Sequence, residues 1–146
     1  RMALDGRDPT LGKVDDENVA KFQQWLNKNY GHGLAVDGIY GKNTKRSSLK
    51  AYQTYLNKTY RANLEVDGIW GPKTSAACRY VERGSRGVPV YIVQGVLYGI
   101  GYDPKGFDGI CGSGCVAAIR AFQAKHFPTN EVDGIVGPDT WGQLFQ

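Results

Sequence analysis

The chain has 146 residues and a formal net charge of +4 at neutral pH, and 41% of its residues are hydrophobic. Hydrophobic content of this order belongs to a globular protein and excludes a largely disordered chain. No apolar run approaches the roughly 20 residues that cross a bilayer. No lysine and arginine run or nucleic-acid motif is present either, so we expect neither a membrane nor a nucleic acid as a partner.

Residues 1–15 are polar and rich in turn-forming residues, which predicts a linker or N-terminal extension. This segment contains no apolar signal sequence. The abrupt start at Arg1 is typical of a piece of a longer protein or of an engineered fragment.

Three helices are predicted in the next part of the chain. The first begins near Asp16, which can cap it, and carries an apolar stripe with three- and four-residue spacing up to Tyr30. The second repeats this spacing around Tyr52. The third begins at Pro72, because proline is tolerated at the first helical position, and is expected to run to about Val81.

The charged, glycine-containing stretch from Glu82 to Gly87 predicts a break in the chain. The helix after it is apolar nearly all round, which indicates burial on more than one side. Part of that helix aligns with the core positions of the first helix, so Ile92 and Val96 should face another surface. The preceding module is the nearest candidate, with a missing catalytic domain or a second copy of the chain as alternatives.

One motif is written four times, each time as an Asp-Gly-Ile loop that follows a helix carrying a glutamine. The Gln-to-Asp distance is 14 residues in the first three copies and 10 in the last. A motif repeated in register indicates a repeated structural unit. The four copies are Val36–Thr44, Val66–Thr74, Phe107–Cys115 and Val132–Thr140.

The sequence therefore predicts an all-α protein of two tandem three-helix bundles, each with two Asp-Gly-Ile loops, related by an internal repeat. We assign residues 1–15 to the N-terminal extension, 16–82 to module one, 83–87 to a short linker and 88–146 to module two.

The repeated Gln, Asp and Gly residues each have a structural explanation. Gly accepts the positive φ of a tight turn, and Asp can bond nearby backbone amides. A buried Gln would bond the loop backbone, because an unsatisfied amide costs about 1–3 kcal/mol. The loop isoleucine and the residue after it are expected to pack the loop. The residues predicted to be structural are Gln23, Gln53, Gln94, Gln123, Gly38, Gly68, Gly109 and Gly134.

The chain has three cysteines, too few for a disulfide framework. Cys78 aligns with Leu144 of the last helix, which predicts a buried core thiol. Cys111 takes a loop position that is aromatic or aliphatic in the other copies, which indicates apolar packing. A local bridge between Cys111 and Cys115 is left open. No metal site or cofactor is expected, since no histidine lies near these cysteines.

The combination of Asp-Gly-Ile-aromatic-Gly-Pro-Lys-Thr with Phe-Gln on the preceding helix resembles the peptidoglycan-binding domain. The resemblance covers about residues 16–146 and is best at Val66–Ala77. It implies a three-helix bundle that binds the glycan strand or stem peptide of peptidoglycan. It also implies action at the bacterial cell wall, where the module holds a tethered lytic enzyme, an endolysin or autolysin, at its substrate.

The resemblance suggests which loop residues contact ligand. An aromatic side chain can stack on a sugar while Asp and backbone amides bond polar groups. The third copy departs from the pattern with Cys111 and the fourth with Val136, so module two is expected to bind more weakly than module one. The candidate ligand-binding residues are Asp37, Tyr40, Asp67, Trp70, Asp108, Asp133 and Trp141.

Two other function classes are weaker. No residues are predicted to be catalytic, because the repeated Asp residues occupy equivalent structural positions and His32 and His126 are too few for a zinc amidase site. The remaining alternative is a protein-interaction or pro-segment module that uses the same three-helix fold.

Overall fold

The computed structural model describes residues 16–146, which are all-helical in two tandem repeats, and this confirms the predicted fold class. The extension predicted for residues 1–15 lies outside the described residues. No helix in the described range has both the length and the apolar character needed to cross a membrane. The helices are α1 (Asp16–Tyr30), α2 (Lys42–Tyr60), α3 (Pro72–Ala77), α4 (Val88–Ile100), α5 (Ser113–His126) and α6 (Pro138–Leu144), with a short 3-10 turn at Thr129–Glu131.

The third helix is shorter than the sequence predicted. Pro72 opens α3 as expected, but the helix ends at Ala77 instead of reaching Val81. Val81 is in extended backbone and pairs with Val136 of the fourth loop, with N–O distances of 3.1 and 2.7 Å. The prediction missed this because the partner of Val81 is distant in sequence.

Cys78 does not occupy the core position that the alignment with Leu144 predicted. It lies just beyond the last residue of α3 and is only partly buried, whereas Leu144 is 2% exposed. The early end of α3 explains the difference, because the chain has already left the helical path at Cys78.

Helix α4 of module two packs against α1 and α2 of module one. A Cβ atom added at Gly95 would lie 2.3 Å from ring atoms of Phe22, and one at Gly99 would lie 2.3 Å from ring atoms of Tyr40. Ile92 and Val96 share this helix face by their three- and four-residue spacing, and both are fully buried. The prediction that the modules pack together through this face is confirmed.

Helices α3 and α6 form a second contact between the modules. The indole Nε1 of Trp141 donates a hydrogen bond to the backbone oxygen of Arg79 at 2.8 Å. Trp70 stacks on Phe145 with ring centroids 6.1 Å apart. The buried residues of both modules therefore form one continuous hydrophobic core.

Candidate functional site

Each Asp-Gly-Ile loop is held by the glutamine of the preceding helix. In the first loop the Gln23 amide nitrogen donates to Asp37 Oδ1, to the Ile39 carbonyl and to Thr44 Oγ1, each at 3.0 Å. The Gln23 oxygen accepts from the backbone amides of Asp37 and Gly38 at 3.1 and 2.9 Å. Because this buried amide has its donors and acceptor engaged, it fixes the loop on α1.

The other three loops repeat this arrangement with two differences, one of which is that the Gln53 oxygen accepts only from the Gly68 amide. Gln53 and Gln123 donate to an Asp, an Ile carbonyl and a Thr at distances between 2.9 and 3.2 Å. Gln94 donates only to Asp108 and the Ile110 carbonyl, because Cys115 stands where the other loops have threonine. The glycine after each Asp has a φ between 70° and 75°, which an L side chain rarely adopts.

The four loop aspartates each commit one oxygen to their own loop. Asp67 Oδ1 accepts from the Ile69 amide at 2.9 Å and from Gln53, and these bonds hold the pKa of Asp67 below its usual value. The pKa of Asp108 is lowered by Gln94 and by the Ile110 amide in the same way. The carboxylates of Asp67 and Asp108 therefore stay ionised at neutral pH and hold their loops.

The three aromatic residues proposed as ligand contacts are turned into the protein. Trp141 is fully buried and Tyr40 is 4% exposed, so neither presents a ring face to a ligand. Trp70 is half-buried against Phe145. Packing between the modules covers Tyr40 and Trp141 and part of Trp70, so Trp70 is the one ring of the three that keeps an accessible part for stacking.

The loop isoleucines also differ from expectation. Ile69 is 62% exposed and Ile110 is 40% exposed, so they do not pack their loops. Ile39 and Ile135 are half-buried. The next residue turns inward in three loops, as Tyr40, Cys111 and Val136 do, whereas Trp70 is half-buried.

A cleft lies beside the first loop, between the segment that follows α1 and the first two turns of α2. Its volume is about 590 Å³, and it is open to solvent on one side. Asp37 lines this cleft, together with residues that the sequence analysis did not select. The polar side chains at its walls include His32, Lys42, Asn43, Arg46, Ser47 and Lys50.

The cleft has an excess of positive charge. Lys42, Arg46 and Lys50 form no ion pair with a carboxylate of residues 17–146, although the charge of Arg46 acts on Asp67 from a longer distance. Asp37 is the one acidic residue on the wall of this cleft. The first turn of α2 contains no acidic residue, so the positive end of the helix dipole adds to the same field.

His32 contributes hydrogen bonding to this cleft. Its Nδ1 lies 2.5 Å from Ser47 Oγ. Partial burial lowers the pKa of His32, and the nearby positive charge of Lys50 lowers it further. The imidazole is therefore neutral at pH 7 and has one donor and one acceptor nitrogen, of which Nδ1 is already bonded to Ser47. The lysines and the arginine supply the charge of the cleft.

A second cavity of about 230 Å³ continues the cleft toward the second loop. Lys42 and Arg46 line both cavities, and Ile69 lines the second. The aliphatic part of Arg46 lies over Gly68, where an added Cβ would be 2.5 Å from Arg46 Cγ. We call the two joined cavities the basic groove.

The sequence held a signal for this groove. Residues 42–50 contain four cations, whereas the nine residues that follow the other loops contain two at 72–80, one at 113–121 and none at 138–146. The net charge of the whole chain does not reveal this cluster, which becomes visible only when the segments after the four loops are compared. Lys45, the fourth cation, bonds the backbone oxygen of Gln146.

The described part of the chain, residues 16–146, contains no group of three His, Cys, Asp or Glu side chains placed to hold a metal ion.

The fold is a tandem helical repeat whose loops are fixed by hydrogen bonds between Gln and Asp side chains, and a basic groove lies on its first module. Residues 15–77 and 86–144 both match the peptidoglycan-binding domain, which is a binding and not a catalytic module. The chain belongs to this family.

A relative of this chain is known from Bacillus subtilis strain 168, where it is described as the uncharacterized protein YbfG. The two are 34% identical over 114 residues. The similarity covers 74% of this chain and 15% of YbfG, so the chain spans a small part of that protein's length. No solved structure matches the chain.

Proposed function

We propose that this chain binds peptidoglycan through the basic groove of module one and so targets an attached wall-lytic enzyme to its substrate. The observation that carries the proposal is the basic groove, in which Lys42, Arg46 and Lys50 form no ion pair with another residue whose side chain the structure describes. The chain that carries this groove belongs to the peptidoglycan-binding family. The protein acts at the bacterial cell wall.

The groove favours the stem peptide over the glycan strand as the contacted part of peptidoglycan. Stem peptides carry free carboxylates, which pair with lysine and arginine, and peptide amides can bond side chains such as Asn43 and Ser47. Recognition of a sugar face relies on exposed aromatic rings, and Tyr40 and Trp141 are buried. Of the original loop candidates, Asp37 is placed at the groove and can accept a hydrogen bond from a peptide amide.

The remaining candidate ligand-binding residues have weaker support than Asp37; they are Asp67, Asp108, Asp133 and Trp70. Each of the three aspartates is at least partly accessible but lies outside the residues that line the cleft beside the first loop. Their carboxylates would repel an anionic ligand, which favours a role in holding the loops.

The attached enzyme would be a peptidoglycan hydrolase, as in endolysins and autolysins that cause bacteriolysis. YbfG supports a larger parent because the matched region is a small part of its length. A binding module of this kind raises the local concentration of a tethered catalytic domain at an insoluble substrate.

Co-sedimentation with purified peptidoglycan tests the proposal. Wild-type protein should pellet with the wall and release no soluble muropeptides. A variant with Lys42→Gln, Arg46→Gln and Lys50→Gln should bind about tenfold more weakly or worse, since three partly exposed charge contacts contribute roughly 0.5–1 kcal/mol each. Binding of the wild type should also weaken as salt screens these contacts.

The matched control removes three exposed lysines elsewhere, by Lys28→Gln, Lys58→Gln and Lys125→Gln, and so changes the net charge equally. This control should sediment like the wild type. Equal sedimentation of both triple variants would contradict a role for the groove, and soluble wild-type protein would contradict wall binding altogether.

A further inference from the structure

The third repeat differs from the other three at several loop positions, and two of these differences are cysteines. Cys111 stands where the other loops have Tyr40, Trp70 and Val136. Cys115 stands where they have Thr44, Thr74 and Thr140, the threonines that accept a hydrogen bond from the loop glutamine.

The two substitutions bring their sulfur atoms into contact. Cys111 Sγ and Cys115 Sγ lie 3.2 Å apart, and both residues are 1% exposed. In the other repeats the threonine ties the helix that follows the loop to the glutamine. In the third repeat Gln94 lacks that bond, and the sulfur contact links the loop to the first turn of α5 in its place.

We propose that Cys111 and Cys115 form a disulfide that fastens the third loop to α5 and replaces the threonine hydrogen bond of the other repeats. The residues between them are Gly112, Ser113 and Gly114, a short segment with little side-chain bulk. A wall-binding protein that works outside the cytoplasm meets the oxidising conditions in which disulfides persist. The inference rests on the sulfur geometry and not on the ligand that the chain binds.

The two thiols differ in their electrostatic surroundings. The hydrogen bond with Cys115 lowers the pKa of Cys111, and nearby Arg83 lowers it further, while the same hydrogen bond raises the pKa of Cys115. These directions favour Cys111 as the first thiolate to attack, because the thiolate is the nucleophilic form.

The reaction is a thiol–disulfide exchange with a disulfide-containing oxidant, either a protein oxidase or glutathione disulfide. The Cys111 thiolate attacks the oxidant, forming a mixed disulfide and releasing one thiolate of the oxidant. Cys115 then loses its proton and attacks the Cys111 sulfur, which expels the second thiolate. The two cysteines are oxidised, the oxidant disulfide is reduced, and the two protons pass to the released thiolates.

Cys78 is the residue that should remain a free thiol. It lies in module one, just after α3, and has no sulfur contact with Cys111 or Cys115.

The test is refolding of the full chain in a glutathione redox buffer, followed by thiol titration and peptide mapping under denaturing conditions. The number of titratable thiols should fall from three to one. The mass should fall by about 2 Da, with a Cys111–Cys115 bridge in the digest. Three titratable thiols, or a bridge that includes Cys78, would overturn the proposal.

A second measurement compares hydrogen exchange in the wild type with that in a variant whose two cysteines are replaced by the residues of the fourth repeat. The variant Cys111→Val with Cys115→Thr copies Val136 and Thr140 and restores an acceptor for Gln94. Hydrogen exchange at the amides of residues 108–116 should become faster in wild type when a reductant is added, and should not respond in this variant. Cys78→Ser should behave as wild type. A wild-type loop that is insensitive to reductant would contradict the structural role of the bridge.

Discussion

The rings of Tyr52 and Trp141 stack 4.1 Å apart, centroid to centroid, although one residue belongs to module one and the other to module two. Both side chains are fully buried. The tandem repeat is therefore one folded body, because each module completes the core of the other. The basic groove depends on this union, since the second cavity is bounded by Phe145 of module two as well as by α2.

Replacing Trp141 should destabilise both modules together. Trp141→Ala removes a buried ring and its hydrogen bond to Arg79, which should lower the free energy of unfolding by about 3–5 kcal/mol. Chemical denaturation followed by fluorescence and by circular dichroism should give a single, coincident transition. Tyr80→Ala, at a side chain 62% exposed, is the control and should change stability little. Two separate transitions in the wild type would show that the modules fold independently.

Gly95→Ala should destabilise the protein, although glycine-to-alanine changes inside helices usually stabilise by about 0.5–1 kcal/mol. The added methyl group would meet the ring of Phe22 at 2.3 Å, and overpacking of this kind costs about 1–3 kcal/mol. Thermal unfolding measures the effect. Lys125→Ala, at an exposed position in α5, supplies the control for helix propensity. A raised melting temperature for Gly95→Ala would mean that α4 does not approach α1 closely.

The loop glutamine should contribute more to stability than any one of its partners. Gln53→Leu leaves the loop carbonyl and amide without their partner, and the free energy of unfolding should fall by about 1–3 kcal/mol. Thr74→Val removes one of the three acceptors and should cost about 0.5–1.5 kcal/mol. Denaturant titration compares the two variants, and equal losses would argue against the central place of the glutamine.

Stability should decrease as the pH falls from about 7 to about 5, in part through His32. The folded state lowers the pKa of His32 by burial and by the charge of Lys50, so the unfolded chain binds the proton more tightly. The contribution of His32 is thus complete above the unfolded pKa and is lost as the pH falls toward the lower folded value.

Melting temperatures of wild type and His32→Gln across this pH range check the assignment. The variant should show a shallower pH dependence than the wild type. An unchanged slope in His32→Gln would remove His32 as the source.

The helices and the order of the repeats could be predicted from the sequence because they follow from local periodicity. The packing of the two modules could be predicted because α4 has more apolar residues than the core of one small bundle needs. Ile92 and Val96 were apolar residues beyond those needed for the core of one small bundle. Both are fully buried on α4, the helix that packs against α1 and α2 of module one. The ligand-facing residues could not be predicted in this way. The sequence pattern around a loop aromatic residue is the same whether its ring contacts a ligand or a neighbouring module. Tyr40 is in the core because Gly99 of module two packs directly against its ring.

The most direct test of the central claim is a nuclear magnetic resonance titration of the labelled chain with soluble muropeptides, either with free or with amidated stem-peptide carboxylates. If the basic groove binds stem-peptide carboxylates, chemical shift changes should appear at the backbone amides of residues 31–50, and the amidated form should bind more weakly. Shift changes confined to module two, or equal affinity for both forms, would contradict recognition of peptidoglycan carboxylates by the basic groove.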